Sequence, residues 1–282
     1  MIKIYLFVAI LAIATRLLFV LLFPGSGGDW DIYSTVAENI LSGCGVSLSD
    51  PLSQECVPHF GGNQLPGYPA FVALIWMLFD HKDAAVRLAQ LIVYVSSLIW
   101  LVRAVYLYSF SKKIALIVGL IMAISPLQIA WPRYTQTETL ALAATILVIA
   151  ERLYSLTYEK LRVFPLALAL SFAIFIRLDS VLLAIPTAIT GFIIYKPYIA
   201  LKKGLVLFLL LLIPLGSWTV RNIHVEIPVF PQNMTLPEGS HQPTGYLKWG
   251  RTWITEEYQR PGWGWGVNRH NYDSISIDSA AY

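Results

Sequence analysis

Charged residues are scarce in this 282-residue chain: Asp, Glu, Lys and Arg make up 13% of it, whereas 56% is hydrophobic. About a quarter of an ordinary soluble domain is charged. So little polar surface cannot coat the chain in water, which excludes a soluble globular protein. The apolar surface must therefore face lipid, and the long apolar runs predict that it does so as helices.

Several binding motifs are also missing. The chain has no Walker loop, no dinucleotide fingerprint and no H-E-x-x-H motif, so no nucleotide cofactor is expected. Its net charge is only +3, and its basic residues are scattered between apolar runs, which excludes a nucleic-acid partner. Whether a divalent metal is needed is left open.

Only two cysteines are present, Cys44 and Cys56, and both lie in one polar segment. With His59 as the single histidine nearby, their spacing is poor for a zinc site. Outside the cytoplasm they can form a disulfide, and two free thiols are the alternative.

Seven apolar runs predict an all-α membrane protein, a polytopic bundle of about seven transmembrane helices. Another run, Gly67–Phe79, is shorter than the roughly 20 residues that a span needs, and we interpret it as an interfacial or re-entrant helix. A short amphipathic helix is predicted over Asp31–Leu41, ending at Gly43 and Gly45. The seven predicted spans are Ile4–Phe23, Ala84–Tyr108, Ile114–Trp131, Thr137–Tyr154, Val163–Ile176, Ser180–Tyr195 and Leu205–Val220.

The loop charges orient these spans. With the N-terminus in the cytoplasm, most basic loop residues fall inside and most acidic ones outside, as the positive-inside rule requires. We therefore predict a protein of the inner or plasma membrane with its active face outside. Residues 1–220 form the membrane module, its first extracytoplasmic loop is 24–83, and 221–282 is an extracytoplasmic tail that we expect to be incomplete.

Three acidic residues are candidates for proton-transfer chemistry. Asp29 and Asp31 come just after the first span, and Glu138 lies at the mouth of an uncharged run. An acid beside a span is expensive to bury and is often functional. Each carboxylate also has a structural explanation, because acidic residues cap helix N-termini and balance the helix dipole.

The order of landmarks resembles that of GT-C membrane glycosyltransferases of the protein mannosyltransferase and aminoarabinose transferase type. A D-x-D-x-Y helix after the first span, P-G-Y-P, S-P-L, T-E, I-R-L-D and W-x-x-R-N follow one another between about Ile4 and Trp253. The resemblance implies that Asp29 is the catalytic base and Glu138 a second catalytic acid. Trp30 stands where many relatives have Glu, and Asp31 can take that place.

The resemblance also implies a glycosyltransferase, with a hexose or pentose moved from a polyprenyl-phosphate donor held in membrane lipid to a glycan, lipid or protein acceptor. Cationic groups must then bind the departing phosphate. Arg221 is equally well explained as an interfacial anchor. A transporter or flippase gated by Arg177 and Asp179, or an assembly protein, are the alternatives. The predicted substrate-binding residues are Tyr33, Tyr68, Arg133, Arg221, Lys248 and Arg251.

Overall fold

A computed structural model describes residues 1–23, 30–48, 56 and 65–225. Within these ranges the regular structure is helical, and no β-strand occurs. Two 3-10 segments, Trp131–Arg133 and Leu178–Leu183, interrupt the α-helices. The α-helices are α1 Ile2–Leu22, α2 Trp30–Leu41, α3 Gly67–Phe79, α4 Asp83–Ser109, α5 Lys112–Ile124, α6 Pro126–Ala130, α7 Thr137–Thr157, α8 Val163–Ile176, α9 Ala184–Ile194 and α10 Pro197–His224.

Four of these helices, α1, α4, α7 and α10, are long and apolar enough to cross a membrane. These helices indicate an integral membrane protein, and its described part is all-helical. The other predicted spans correspond to shorter helices of 13, 14 and 11 residues, α5, α8 and α9. At 1.5 Å per residue, such helices fall short of a hydrocarbon core about 30 Å thick. The total of seven spans therefore remains a prediction.

The predicted third span is broken at Ser125–Pro126. Proline has no amide hydrogen and disfavours helical geometry in the residue before it, so α5 ends at Ile124 and a new short helix begins at Pro126. The predicted sixth span starts as the 3-10 segment Leu178–Leu183 and becomes α-helical only at Ala184.

Helices α4 and α7 form the centre of the bundle. Half of the apolar stretch of α4 and 61% of that of α7 is buried, against 17% for α1 and for α10, which therefore lie at the periphery. Small residues such as Ala104 and Ala143 let the central helices approach closely. Gly119 of α5 fits against Val8 and Val102, where a Cβ atom would lie 2.8 Å from the Val8 side chain.

Arg16 is fully buried in α1, where a lone charge would be costly. Its guanidinium donates to the carbonyl oxygens of Met122 (3.2 Å) and Ala123 (2.9 Å) at the end of α5 and lies 4.1 Å above the Tyr94 ring. The Pro126 break leaves these carbonyls without helical partners. Arg16 thus completes the broken end of α5, and the negative end of that helix stabilises its charge.

Two of the predicted spans, α4 and α7, run in the same direction. Gln90 of α4 donates to the Tyr134 carbonyl just before α7, and Trp100 further along α4 donates to Glu151 further along α7, at 2.8 Å. Helices α4 and α7 are therefore parallel. Arg133 donates to the Phe23 carbonyl at 3.3 Å, which brings the C-terminal end of α1 to the N-terminal end of α7.

The first loop contains the two predicted short helices, α2 and α3. Helix α2 buries Tyr33, Val36 and Ala37, whereas Leu41 at its end is exposed. The chain turns after α2 with positive φ angles at Gly43 and Gly45, as expected for a glycine-terminated helix. Cys44 and Cys56 are joined as a disulfide, with their Cα atoms 5.2 Å apart.

Candidate active site at one end of the bundle

A cluster of polar side chains lies where α2, α3, α7 and the link after α8 meet. At its centre is Tyr68, which is fully buried and packs edge-on against Tyr33 with ring centroids 4.8 Å apart. The Tyr68 hydroxyl donates to Gln90 of α4 at 3.3 Å. Two of the predicted substrate-binding residues, Tyr33 and Tyr68, are thus in direct contact.

Tyr68 is held as a neutral phenol. Burial raises its pKa well above the ordinary value, and the nearby Tyr33, Glu138 and Asp83 raise it further, while Arg87 opposes them. The Tyr68 hydroxyl therefore stays protonated at neutral pH. It acts in this cluster as a hydrogen-bond donor and not as a base.

The P-G-Y-P motif explains why Tyr68 reaches this position. Gly67 begins α3 against the last turn of α8, where a Cβ atom would lie 2.6 Å from the carbonyl carbon of Phe175. Only glycine permits this approach of backbone to backbone. Because Arg177 follows two residues after Phe175, the same contact brings the start of α3 close to the link that carries Arg177.

Glu138 lies in the first turn of α7 and is paired with Arg177, with 3.2 Å between Oε1 and Nη1. The other edge of the guanidinium faces Asp179, with Nε to Oδ1 at 3.3 Å and Nη2 to Oδ2 at 3.4 Å. Burial alone would lower the pKa of Arg177, but Asp179 and then Glu138 raise it above the ordinary value. Arg177 therefore remains a cation.

A cleft of about 290 Å³ opens beside this ion-pair group. That volume lies near the lower limit of small-molecule sites. Arg177 and Asp179 contribute its polar wall, while α7 and the Leu178–Leu183 segment contribute mostly apolar side chains. The residues that line it are Ala141, Leu142, Thr145, Arg177, Asp179, Ser180, Leu182 and Leu183. The cleft therefore combines a charged wall, which includes the cation Arg177, with a largely apolar surface, the same division that an amphiphilic ligand has.

Two of the three predicted catalytic acids, Asp31 and Glu138, lie in the described part of the chain. Glu138 joins the cluster directly through Arg177. Asp31 is exposed in the first turn of α2, the helix that brings Tyr33 into the cluster, and its backbone carbonyl accepts from Ser34 and Thr35. Asp29 lies outside the described residues. Its chain neighbour Trp30 is described and packs edge-on against Trp76 of α3, at 5.7 Å between ring centroids.

Two predicted phosphate ligands are engaged in other contacts. Arg133 donates to the Phe23 carbonyl and stacks on Tyr134, with 4.2 Å to the ring centroid. Arg221 donates to the Val46 carbonyl at 2.8 Å and so ties the end of α10 to the first loop. The remaining predicted ligands, Lys248 and Arg251, lie outside the described residues.

Sequence reasoning did not assign a site role in the enzyme to Arg177 or Gln90. The sequence suggests Arg177 only as half of a transporter gate with Asp179, although the R-x-D spacing lets one arginine and one carboxylate meet locally. Gln90 is a fully buried amide within an apolar helix, and that isolation was the signal that it has a partner. Among the described residues, no group of three or more His, Cys, Asp or Glu side chains is arranged to hold a metal ion.

The family to which the chain belongs was identified by comparison with known proteins. The family model for dolichyl-phosphate-mannose-protein mannosyltransferases matches residues 63–218, which is more than half of the 282-residue chain. No curated protein and no solved structure matches significantly. The matched range contains Tyr68, Gln90, Glu138 and Arg177, whereas Asp29 precedes it. The chain therefore belongs to the dolichyl-phosphate-mannose-protein mannosyltransferase family, and with it to the GT-C superfamily of membrane glycosyltransferases that use polyprenyl-phosphate-linked donors.

Proposed function

We propose that this protein transfers a sugar from a polyprenyl phosphate to an acceptor on the extracytoplasmic side, with Asp29 as general base and Arg177 as the cation that binds the donor phosphate. The observation that carries the proposal is the placement of Arg177 at the head of a largely apolar cleft within the family-matched range. A polyprenyl-phosphate donor has the same division, an anionic phosphate on an apolar chain.

The reaction requires few groups from the protein. An oxygen of the acceptor attacks the anomeric carbon and gives its proton to the Asp29 carboxylate. The bond from the anomeric carbon to the phosphate oxygen breaks, and its electron pair leaves with the polyprenyl phosphate. Arg177 stabilises the charge that develops on that oxygen. Attack in line with the departing bond inverts the configuration at the anomeric carbon.

Glu138 has a supporting role in this scheme. It lies in the first turn of α7 and pairs with Nη1 of Arg177, so it holds the guanidinium beside the cleft. The Tyr33–Tyr68 contact links the same cluster to α2, and Asp29 immediately precedes α2 in the chain. These contacts support the placement of base and phosphate site at one end of the bundle.

Two features support an extracytoplasmic active face. The Cys44–Cys56 disulfide lies in the first loop, and disulfides persist mainly in oxidising compartments. At the end of the bundle away from the candidate site, basic residues such as Arg162 lie in the link between α7 and α8. Arg162 pairs there with Glu151 of α7 at 3.0 Å. An excess of Lys and Arg is typical of cytoplasmic loops.

The donor and reaction type can be tested with the full-length protein in proteoliposomes. We expect radiolabelled sugar to leave its carrier, with release of free polyprenyl phosphate, for one donor in a panel of polyprenyl-phosphate mannose, glucose and arabinose. Mannose is the first candidate because the matched family is described as using it. Absence of both transfer and carrier release across such a panel, with peptide and glycolipid acceptors supplied, would contradict a glycosyltransferase.

Sidedness can be tested at the two ends of one helix. Lys82 precedes α4 and Lys112 begins α5 just after α4 ends; both are exposed, and the 27-residue α4 between them is about 40 Å long. In intact cells, an impermeant thiol reagent is expected to label Lys82→Cys but not Lys112→Cys. Labelling of both should follow permeabilisation. The reverse pattern in intact cells would place the candidate site in the cytoplasm.

A further inference from the structure

Asp179 occupies the edge of Arg177 that a phosphate would need. The guanidinium presents two neighbouring donors, Nε and Nη2, in a fork that matches two oxygens of a carboxylate or a phosphate. Asp179 accepts from both donors, whereas Glu138 accepts from Nη1. Within the described contacts, the bidentate edge is thus taken by a carboxylate from the protein itself.

The contact with Asp179 is weak by two measures. Its distances of 3.3 and 3.4 Å are longer than the 3.2 Å of the Glu138 contact, and all three exceed the roughly 2.7–2.9 Å of strong charge-assisted hydrogen bonds. The Asp179 side chain is 65% exposed, against 28% for Glu138, so water competes with Arg177 for its carboxylate. A change of side-chain rotamer moves the carboxylate away without any change in the backbone.

The Asp179 carboxylate must move away from Arg177 before a phosphate binds, because of the net charge of the group. Arg177 with its two carboxylates carries a net charge of −1, which repels the phosphodiester of a donor. Removing Asp179 from the guanidinium leaves a neutral Arg177–Glu138 pair whose bidentate edge is open, and Arg177 lines the cleft. The phosphate then meets the donors that the carboxylate has left.

We propose that Asp179 is an exchangeable counterion that holds the phosphate-binding edge of Arg177 in the empty enzyme and is displaced by the phosphate of the lipid donor. This inference rests on the proposed function for the identity of the lipid, but it concerns binding alone. Asp179 thereby makes the site selective for phosphate. A phosphate can replace the carboxylate at the guanidinium, whereas an uncharged polyprenol cannot.

Binding measurements in nanodiscs test the proposal with a short-chain polyprenyl phosphate and the matching polyprenol as probes. Asp179→Asn is expected to bind the phosphate roughly two- to five-fold more tightly, which corresponds to the loss of an exposed ion pair. Polyprenol binding should not change. Asp80→Asn is the matched control, because it removes an exposed acidic charge from a residue that lies outside the cleft lining.

Unchanged or weaker phosphate binding by Asp179→Asn would overturn the proposal, as would equal tightening in Asp80→Asn. A wild-type protein that does not discriminate between polyprenyl phosphate and polyprenol would overturn it as well. The proposed function is tested separately by sugar transfer. If the protein binds the phosphate as expected but transfers no sugar from the donor panel, the counterion role of Asp179 stands and the enzymatic function is contradicted.

Discussion

Asp29→Asn is expected to lower the rate of sugar transfer roughly 10²- to 10⁴-fold, because an amide cannot accept the proton of the attacking acceptor. The substitution keeps the size of the side chain and removes only its basicity. Binding of polyprenyl phosphate should stay within two-fold of wild type, since the proposed phosphate ligand is Arg177. A single-turnover assay with saturating labelled donor measures the transfer step, and a nanodisc binding assay measures affinity.

Asp31→Asn is the matched comparison, because the two carboxylates lie two residues apart in the same segment. If Asp29 is the base, Asp31→Asn should retain most of the transfer rate. A larger loss in Asp31→Asn than in Asp29→Asn would move the base to Asp31, and wild-type transfer by Asp29→Asn would remove Asp29 from that role.

Arg177→Gln is the second substitution with a large expected effect. Removing the cation leaves the departing phosphate without its charge partner, and a loss of roughly 10²- to 10³-fold in kcat/KM is expected, as for other groups that stabilise a developing oxyanion. Arg177→Lys keeps the charge but loses the fork, so an intermediate loss is expected. Steady-state kinetics over a range of donor concentrations provides the measurement.

Loss of activity in Arg177→Gln could also arise because Glu138, which is partly buried, is left without its partner. The double variant Glu138→Gln/Arg177→Gln separates these causes, since it removes both charges of the pair. Recovery of transfer in the double variant would show that the unpaired carboxylate caused the loss and would contradict phosphate binding by Arg177. Arg103→Gln, an exposed arginine near the opposite end of α4, controls for the loss of a cation.

Much of the architecture follows from local properties of the sequence. Apolar length alone predicts a helical membrane protein, and the structure confirms helices long enough to span in α1, α4, α7 and α10. The amphipathic spacing after Trp30 and the glycines at 43 and 45 predict both ends of α2 closely. Such features depend on neighbours within one or two turns, which a sequence displays directly.

The number of membrane spans does not follow from such local patterns. The run from Ile114 to Trp131 is apolar throughout, so a hydropathy pattern treats it as one span, yet Pro126 divides it into two helices. The break is stable because Arg16, more than 100 residues earlier in the chain, binds the carbonyls left open at the end of α5. A lone charge in a membrane span is unfavourable, and Arg16 is stabilised by these distant partners.

The sequence alone determined which acidic residues lie near the ends of helices. Only the tertiary structure decided which acids meet a cation: Glu138 and Asp179 share Arg177, although Glu138 is 39 residues from it along the chain. It also turned Arg133 and Arg221, expected as phosphate ligands, toward backbone carbonyls. The reason is physical: an arginine binds whichever acceptors the packing of helices leaves unpaired, and packing depends on contacts between residues far apart in the sequence.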